Sequence, residues 1–392
     1  MQNKYNKNIK LIHALNFCRG LSYGWIVIFV LFLRSFSLSF TQVSILLGVF
    51  FLANLIFEVP SGEFADLYGR KKSIIIYGFS SLIINILFII TNSFWVLLLA
   101  MIINGVGLSL WTGTNDSLLF ESLKITKKEK DYQKHRGLFE LFYISIGVLT
   151  NFFIPLLFNQ NIRIPFYIAL LFSIVFIILA NLIYDPYKVK KHKITFKTYY
   201  KQFKKSLTII KKNNKIFMLF FYTVILYTII KTFSELINQP LIAQNFNLSQ
   251  YGLIFALATV VQALLLLIAN KIINFFRKIH VYIMLALVWS LSLALLTTKS
   301  IYVIIPVMGV TWFIGSLVAI TFSTDLNHNL KQDNKRATVL SLHKFFSSLG
   351  GIIFVLVFGF IMDKFNINNS VYILSAIGII FILVILIFKK KK

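Results

Sequence analysis

Few charged side chains interrupt the apolar stretches of this 392-residue chain, and those that do stand where a charge is expensive. Arg19, Asp116, Lys231 and Glu235 lie inside long hydrophobic runs. An ionisable group kept in such surroundings carries a proton, balances an opposite charge or holds a charged solute. Tyr227, Lys231, Glu235 and Asn238 follow at spacings of four, four and three, so they share one helical face and Lys231 can pair with Glu235. Glu235 is the candidate proton carrier of that face. Arg19 lies roughly 13 Å into its run at about 1.5 Å per residue, with Asp116 slightly shallower in another. Asn104, Trp111 and Asn115 share a face of the run that holds Asp116, and Trp312 occupies a place like that of Trp111 in the second half. Aromatic rings with a few amides suit a mid-sized organic solute.

Enzyme chemistry has no foothold in the pattern. There is no His-Glu-x-x-His, no Gly-x-Ser-x-Gly and no phosphate-binding Gly-Lys-Ser/Thr loop, and the 6 histidines are scattered. The single cysteine, Cys18, excludes an internal disulfide and a Cys-rich metal site. Neither a metal nor a cofactor is expected. Without a nucleotide site, any solute movement draws on an ion gradient or on the solute's own gradient.

The elements that must position these residues follow from composition. The chain is 58% hydrophobic and 14% charged, with mean hydropathy +0.79, against about 25% charged for a soluble domain. About 20 apolar residues cross a bilayer as a helix. Twelve candidate spans meet that demand: 11–33, 42–65, 73–92, 94–121, 136–158, 164–184, 216–237, 247–270, 279–298, 301–325, 337–362 and 370–388. The Lys-rich start lacks a small-residue cleavage site, so the first run reads as a retained helix. With twelve spans and both termini on one side, 33 of the 40 Lys and Arg fall in segments on that side and 4 on the other. By the positive-inside rule that side is the cytoplasm. The same rule accounts for the net charge of +27, and no nucleic-acid partner is needed to explain it.

The spans form two sets of six. The domains are read as 1–184, a basic linker at 185–215, and 216–392. Within the linker Phe196, Tyr200, Phe203, Leu207 and Ile210 recur at spacings of four and three, the pattern of an amphipathic helix resting near anionic head groups.

Between the second and third runs stands Ser-Gly-Glu-Phe-Ala-Asp-Leu-Tyr-Gly-Arg-Lys-Lys-Ser (61–73), read as a tight charged loop fixed by Gly62 and Gly69. It resembles the signature loop of the major facilitator superfamily (MFS) of transporters, Gly-x-x-x-Asp-x-x-Gly-Arg-Lys/Arg, at Gly62, Asp66, Gly69, Arg70 and Lys71. A weak echo, Ala-Asn-Lys-Ile-Ile-Asn-Phe-Phe-Arg-Lys (269–278), stands between spans eight and nine. Lys-His-Arg-Gly-Leu (134–138) and Lys-Arg-Ala-Thr-Val-Leu-Ser (335–341) open spans five and eleven alike. Glu58-Val-Pro60-Ser-Gly62 and Leu119-Phe-Glu121-Ser-Leu123 look like forms common in bacterial exporters of the superfamily. Asn104 stands where its drug:proton antiporters often carry arginine, and Gly147 and Pro155 of span five are not adjacent as in theirs.

The resemblance implies an all-α membrane fold of two pseudo-symmetric six-helix bundles with cytoplasmic termini. It also implies a monomeric secondary transporter of the plasma membrane, moving a small molecule by alternating access with protons as coupling ion. Efflux of a drug-like or metabolite compound is expected first, with uptake of a metabolite or a non-transporting receptor as alternatives. Carried over residue by residue, Asp66 faces the start of span eleven near Ala337–Ser341 and Arg70 reaches Glu121. Glu58 meets Lys344 at the inner gate. Spans one and four line the family's cavity, which makes Arg19–Asp116 an expected pair.

Overall fold

The protein is all helix in the computed structural model, which describes residues 2–185, 208, 210, 214–277, 281–329 and 333–390. Among the described residues ten helices are long and apolar enough to cross a membrane, and two shorter apolar ones lie at Val281–Leu295 and Ile367–Leu383. Each coincides with one of the twelve runs. Span one is broken into Gln2–Ser22, a 3-10 turn Gly24–Ile28 and Phe29–Arg34. Spans two to six are Phe40–Tyr68, Arg70–Ile90, Phe94–Ile125, Tyr132–Gln160 and Ile164–Asn181. Span seven runs from Asn214 to Ala243 through a π turn at Phe233–Ile237. Spans eight to twelve are Leu248–Leu267, Val281–Leu295, Ile301–Asn329, Asp333–Lys364 and Ile367–Lys390. The linker face lies outside the described residues except for Ile210, which is buried with Ile216, Leu219, Phe322 and Leu342.

The chain divides into two compact units, Met1–Leu38 with Ile45–Lys193, and Ser39–Ser44 with Ile194–Lys392. In the first, span one packs on spans four, five and six, and span three on four and six. In the second, span seven packs on ten and eleven, and span nine on ten and twelve, so much of the same order of partners recurs. The first turn of span two groups with the second unit, where the Asp363 carboxylate accepts hydrogen bonds from the amides of Phe40 and Thr41, both at 2.8 Å.

Apolar helices gain little hydrophobic free energy from meeting one another in lipid, so close approach over small residues holds them. A Cβ built on Gly105 of span four would meet the Phe50 carbonyl oxygen of span two at 2.5 Å, Ala53 Cβ at 2.8 Å and Asn54 N at 2.9 Å. Gly309 of span ten plays the matching part against span eight, where a Cβ would meet Val261 at 2.6 Å and the Ala258 carbonyl oxygen at 2.9 Å. Asn54 Nδ2 donates to the Gly105 carbonyl at 3.3 Å and Ser61 Oγ to that of Ser109 at 2.9 Å, lacing spans two and four further down.

The expected loop at 61–73 is largely helix. Span two continues through Pro60 and Gly62 to Tyr68, and Gly69 alone breaks the run before span three begins at Arg70. Ala65 is buried and Phe64 packs on Tyr68 one turn later (ring centroids 4.8 Å), so the core-facing stripe outlasts the helix breakers. An interior glycine costs a helix only about 1 kcal/mol, and a Cβ at Gly62 would meet nothing within 4 Å. Gly69 has φ of +97°, which an L side chain resists. Residues 269–277 likewise form a helix, so the echo is not a loop either; Lys278 lies outside the described residues.

Candidate functional site

The signature residues of the first unit meet at the end of span two. Arg70 Nη1 lies 2.6 Å from Glu121 Oε2, with side chains only 11% and 27% exposed, so the pairing expected from the resemblance is formed. Asp66 is half-buried. Ala337 and Thr338, part of its expected partner turn, have side chains outside the described set.

Two contacts here had no sequence signal that we read. Asp185, just after span six, accepts a hydrogen bond from the Lys71 amide at 3.0 Å, and Lys71 Nζ donates to the Asn181 carbonyl at 2.6 Å. A carboxylate there satisfies a free amide and the positive end of span three, the work of an N-cap. A Cβ at Gly69 would meet Asp185 Oδ2 at 2.6 Å, a second reason for glycine at this position. Asn8, buried on span one, brackets the neighbouring residue: its Nδ2 donates to the Tyr184 carbonyl at 2.6 Å and its Oδ1 accepts from the Tyr184 amide at 2.9 Å. We expect Asp185→Ala to lower stability by about 1 kcal/mol, as loss of an N-cap does. Thermal unfolding of the purified protein measures this, and an unchanged midpoint would refute the capping role.

Higher in the unit, Arg19 and Asp116 do not pair. Asp116 Oδ1 instead accepts from Arg136 Nη1 at 2.8 Å, and Arg136 also approaches Glu140 at 3.7 Å, one turn along span five. Arg136 lies one turn into the neighbouring span, within reach of Asp116. Arg19 turns to aromatic faces: its guanidinium carbon lies 5.6 Å from the centroid of Trp111 and 5.7 Å from that of Tyr23. The Tyr23 hydroxyl donates to Asn104 Oδ1. Asn115 and Asn16 exchange amide hydrogen bonds of 3.2 and 3.3 Å. Trp111 is buried between Tyr77 and Phe176 at 5.3 and 5.5 Å, so the predicted Asn104–Trp111–Asn115 face packs against span one and the core of its own unit.

In the second unit Lys231 and Glu235 are near enough to feel each other's charge, and Lys344 adds to the field at Lys231. The π turn that carries Glu235 closes with the Asn238 amide on the Phe233 carbonyl, two residues before Pro240. Proline has no amide to give and crowds the preceding turn, and the wider turn absorbs this. Lys231 lies along Gly351 of span eleven, where a Cβ would meet its Cδ at 3.0 Å. Tyr227 is 38% exposed, with its ring 6.5 Å from His343. His343 accepts or donates one hydrogen bond with Thr223 Oγ1 at 2.9 Å and stacks on Phe322 at 3.9 Å. Trp312 packs edge-on to Phe255 at 5.5 Å, and Gln262 Nε2 reaches Ser316 Oγ at 3.2 Å beside it. Glu58 is half-buried and Lys344 exposed. Among the described residues no three His, Cys, Asp or Glu gather as a metal site would require.

The comparisons agree with this architecture. An uncharacterised MFS-type transporter of Bacillus subtilis (strain 168), YxaM, is 26% identical over 396 residues, covering 98% of this chain and 96% of the relative. An uncharacterised MFS-type transporter of Methanocaldococcus jannaschii is 24% identical over 391 residues, covering 95% and 96%. The crystal structure of the nucleoside transporter NupG superposes with a TM-score of 0.81 at 13% identity over 98% of this chain and 99% of that one, a likeness of fold. The Major Facilitator Superfamily profile matches residues 12–239 and 230–392. Taken with the helical architecture, this match makes the chain a member of the Major Facilitator Superfamily, a multi-pass membrane transporter of a small solute and not an enzyme.

Proposed function

We propose that the protein is a proton-coupled exporter of a small organic compound in the bacterial cytoplasmic membrane, acting as a monomer by alternating access. Glu235 is the observation that carries proton coupling: a carboxylate within a membrane span, on a π turn, with Lys231 beside it. Such turns concentrate at functional sites, and intramembrane carboxylates serve proton relays. The lysine distribution supports cytoplasmic termini. The Glu58-to-Gly62 and Leu119-to-Leu123 segments support the export direction. In the cycle the 1–184 and 216–392 bundles rock about the 185–215 linker, whose lysines rest near anionic lipid. Asp66 engages the start of span eleven, the Arg70–Glu121 pair holds the latch, and Glu58 with Lys344 closes the inner gate.

Proteoliposomes with an imposed pH gradient, an internal pH dye and a compound panel test the proposal. We expect at least one compound to move against the proton flow. Glu235→Gln should lose gradient-driven flux while keeping exchange of labelled for unlabelled compound. Compound and proton moving together would replace export with uptake, and flux indifferent to the gradient would remove proton coupling. Binding without flux would make the protein a receptor.

A further inference from the structure

Because Asp116 is taken by Arg136, Arg19 is left without a carboxylate within ion-pair distance among the described residues. A cation inside a membrane span is retained only against a compensating group. The side chains seen against Arg19 among the described residues are neutral. Trp111 and Tyr23 offer ring faces at 5.6 and 5.7 Å, the buried Tyr77 hydroxyl adjoins it, and Asn104 is already engaged with Tyr23. Its Nε is sealed from solvent with no hydrogen-bond acceptor, while the side chain as a whole keeps part of its surface open.

We infer that Arg19 is the anion subsite of the transported solute and that the solute is a small aromatic monocarboxylate. The guanidinium fork matches a carboxylate in two parallel hydrogen bonds. One positive charge balances one carboxylate, whereas a phosphate monoester, near −2 at neutral pH, would need a second cation. Tyr23 and Trp111 both hold a ring within cation–π reach of the guanidinium, so an acid bound there has aromatic neighbours. The inference rests on the transport reading for its role but not for the binding itself.

Ligand-induced thermal stabilisation of the purified full-length protein tests it, using benzoate, indole-3-acetate and naphthoate against their neutral amides, with inorganic phosphate as a third arm. We expect stabilisation by the aromatic acids, none from the amides at equal concentration, and less from phosphate. Arg19→Gln should weaken acid binding at least tenfold, and Arg19→Lys should keep part of it. Without ligand, Arg19→Gln should melt at or above the wild-type temperature, because it relieves an uncompensated charge; a purely structural arginine would give a lower one. Amides that stabilise as well as acids, phosphate that outdoes them, or an Arg19→Gln protein that binds acids normally or melts earlier would each overturn the assignment. Acids that bind but do not cross in proteoliposomes would leave the subsite standing and remove the transport reading. Flux confined to neutral compounds would keep transport and remove the subsite.

Discussion

A Glu121→Gln protein is expected to reach the membrane in normal amount, to unfold about 5 °C early and to transport roughly tenfold more slowly. The loss follows from the Arg70–Glu121 pair at 2.6 Å, whose side chains are mostly withdrawn from solvent. Breaking a fully buried pair costs about 3–5 kcal/mol because the surviving charge has no compensation, and an exposed pair costs about 0–1. This half-sheltered pair lies between, at about 2 kcal/mol. For a unit of this size each kcal/mol is worth about 2–4 °C of unfolding temperature. If the pair is made in one access state only, a bias of about 1.4 kcal/mol changes the balance of states tenfold. Arg70→Gln should act alike, and the double substitution should lose less than the sum, since no stranded charge remains. A single substitution that leaves both melting and flux unchanged would show that the pair is a surface accident.

Gly105→Val is expected to do more harm than any charge substitution. The atoms a side chain would strike include the Phe50 carbonyl oxygen and the Asn54 nitrogen. Both are main chain within a helix and cannot swing aside as a side-chain tip would. Overpacking costs about 1–3 kcal/mol even where side chains yield. Here span two must lift from span four, and the Asn54 and Ser61 hydrogen bonds to that span go with it. We expect at least about 3 kcal/mol of destabilisation and little folded protein in fluorescence-detected size-exclusion profiles. Gly309→Val should injure the second unit in the same way. Gly113→Val, eight residues further along span four, is the control, because a Cβ there meets nothing within 4 Å. Similar profiles for Gly105→Val and Gly113→Val would refute the close crossing.

Hydropathy alone made the ten long apolar helices and the two shorter ones legible, because a membrane demands an apolar run of fixed length wherever a helix crosses. Charge placement along single helices was less legible. Arg19 and Asp116 were matched by sign and depth, but pairing depends on which cation arrives from a third helix, and Arg136 does. A cation at the first residue of the predicted span five, close after the end of span four in sequence, was the signal that would have found it. Asp185 was hidden for a similar reason: it is distant from Lys71 in sequence and its partner is a backbone amide, which carries no sequence mark. The stretch 61–73 reads as a loop because Gly62 and Gly69 punctuate a charged run, while the buried stripe that keeps it helical continues through Ala65.

The two carboxylates that cap helix starts become available at very different moments of translation. Asp185 emerges once the first six spans exist, so the amide at the head of span three can be satisfied while half the chain is still unmade. The head of span two has early help only in part: Ser39 Oγ accepts from the Gln42 amide at 3.1 Å and Gln42 Oε1 from the Ser39 amide at 2.9 Å, a local capping box. The amides of Phe40 and Thr41 bind a carboxylate 322 to 323 residues downstream, on the penultimate span. Until Asp363 is synthesised, those amides must be served by water at the membrane surface. The first turn of span two therefore gains its caps in two steps, the local one at once and the partner of Phe40 and Thr41 only when Asp363 is made, almost at chain release.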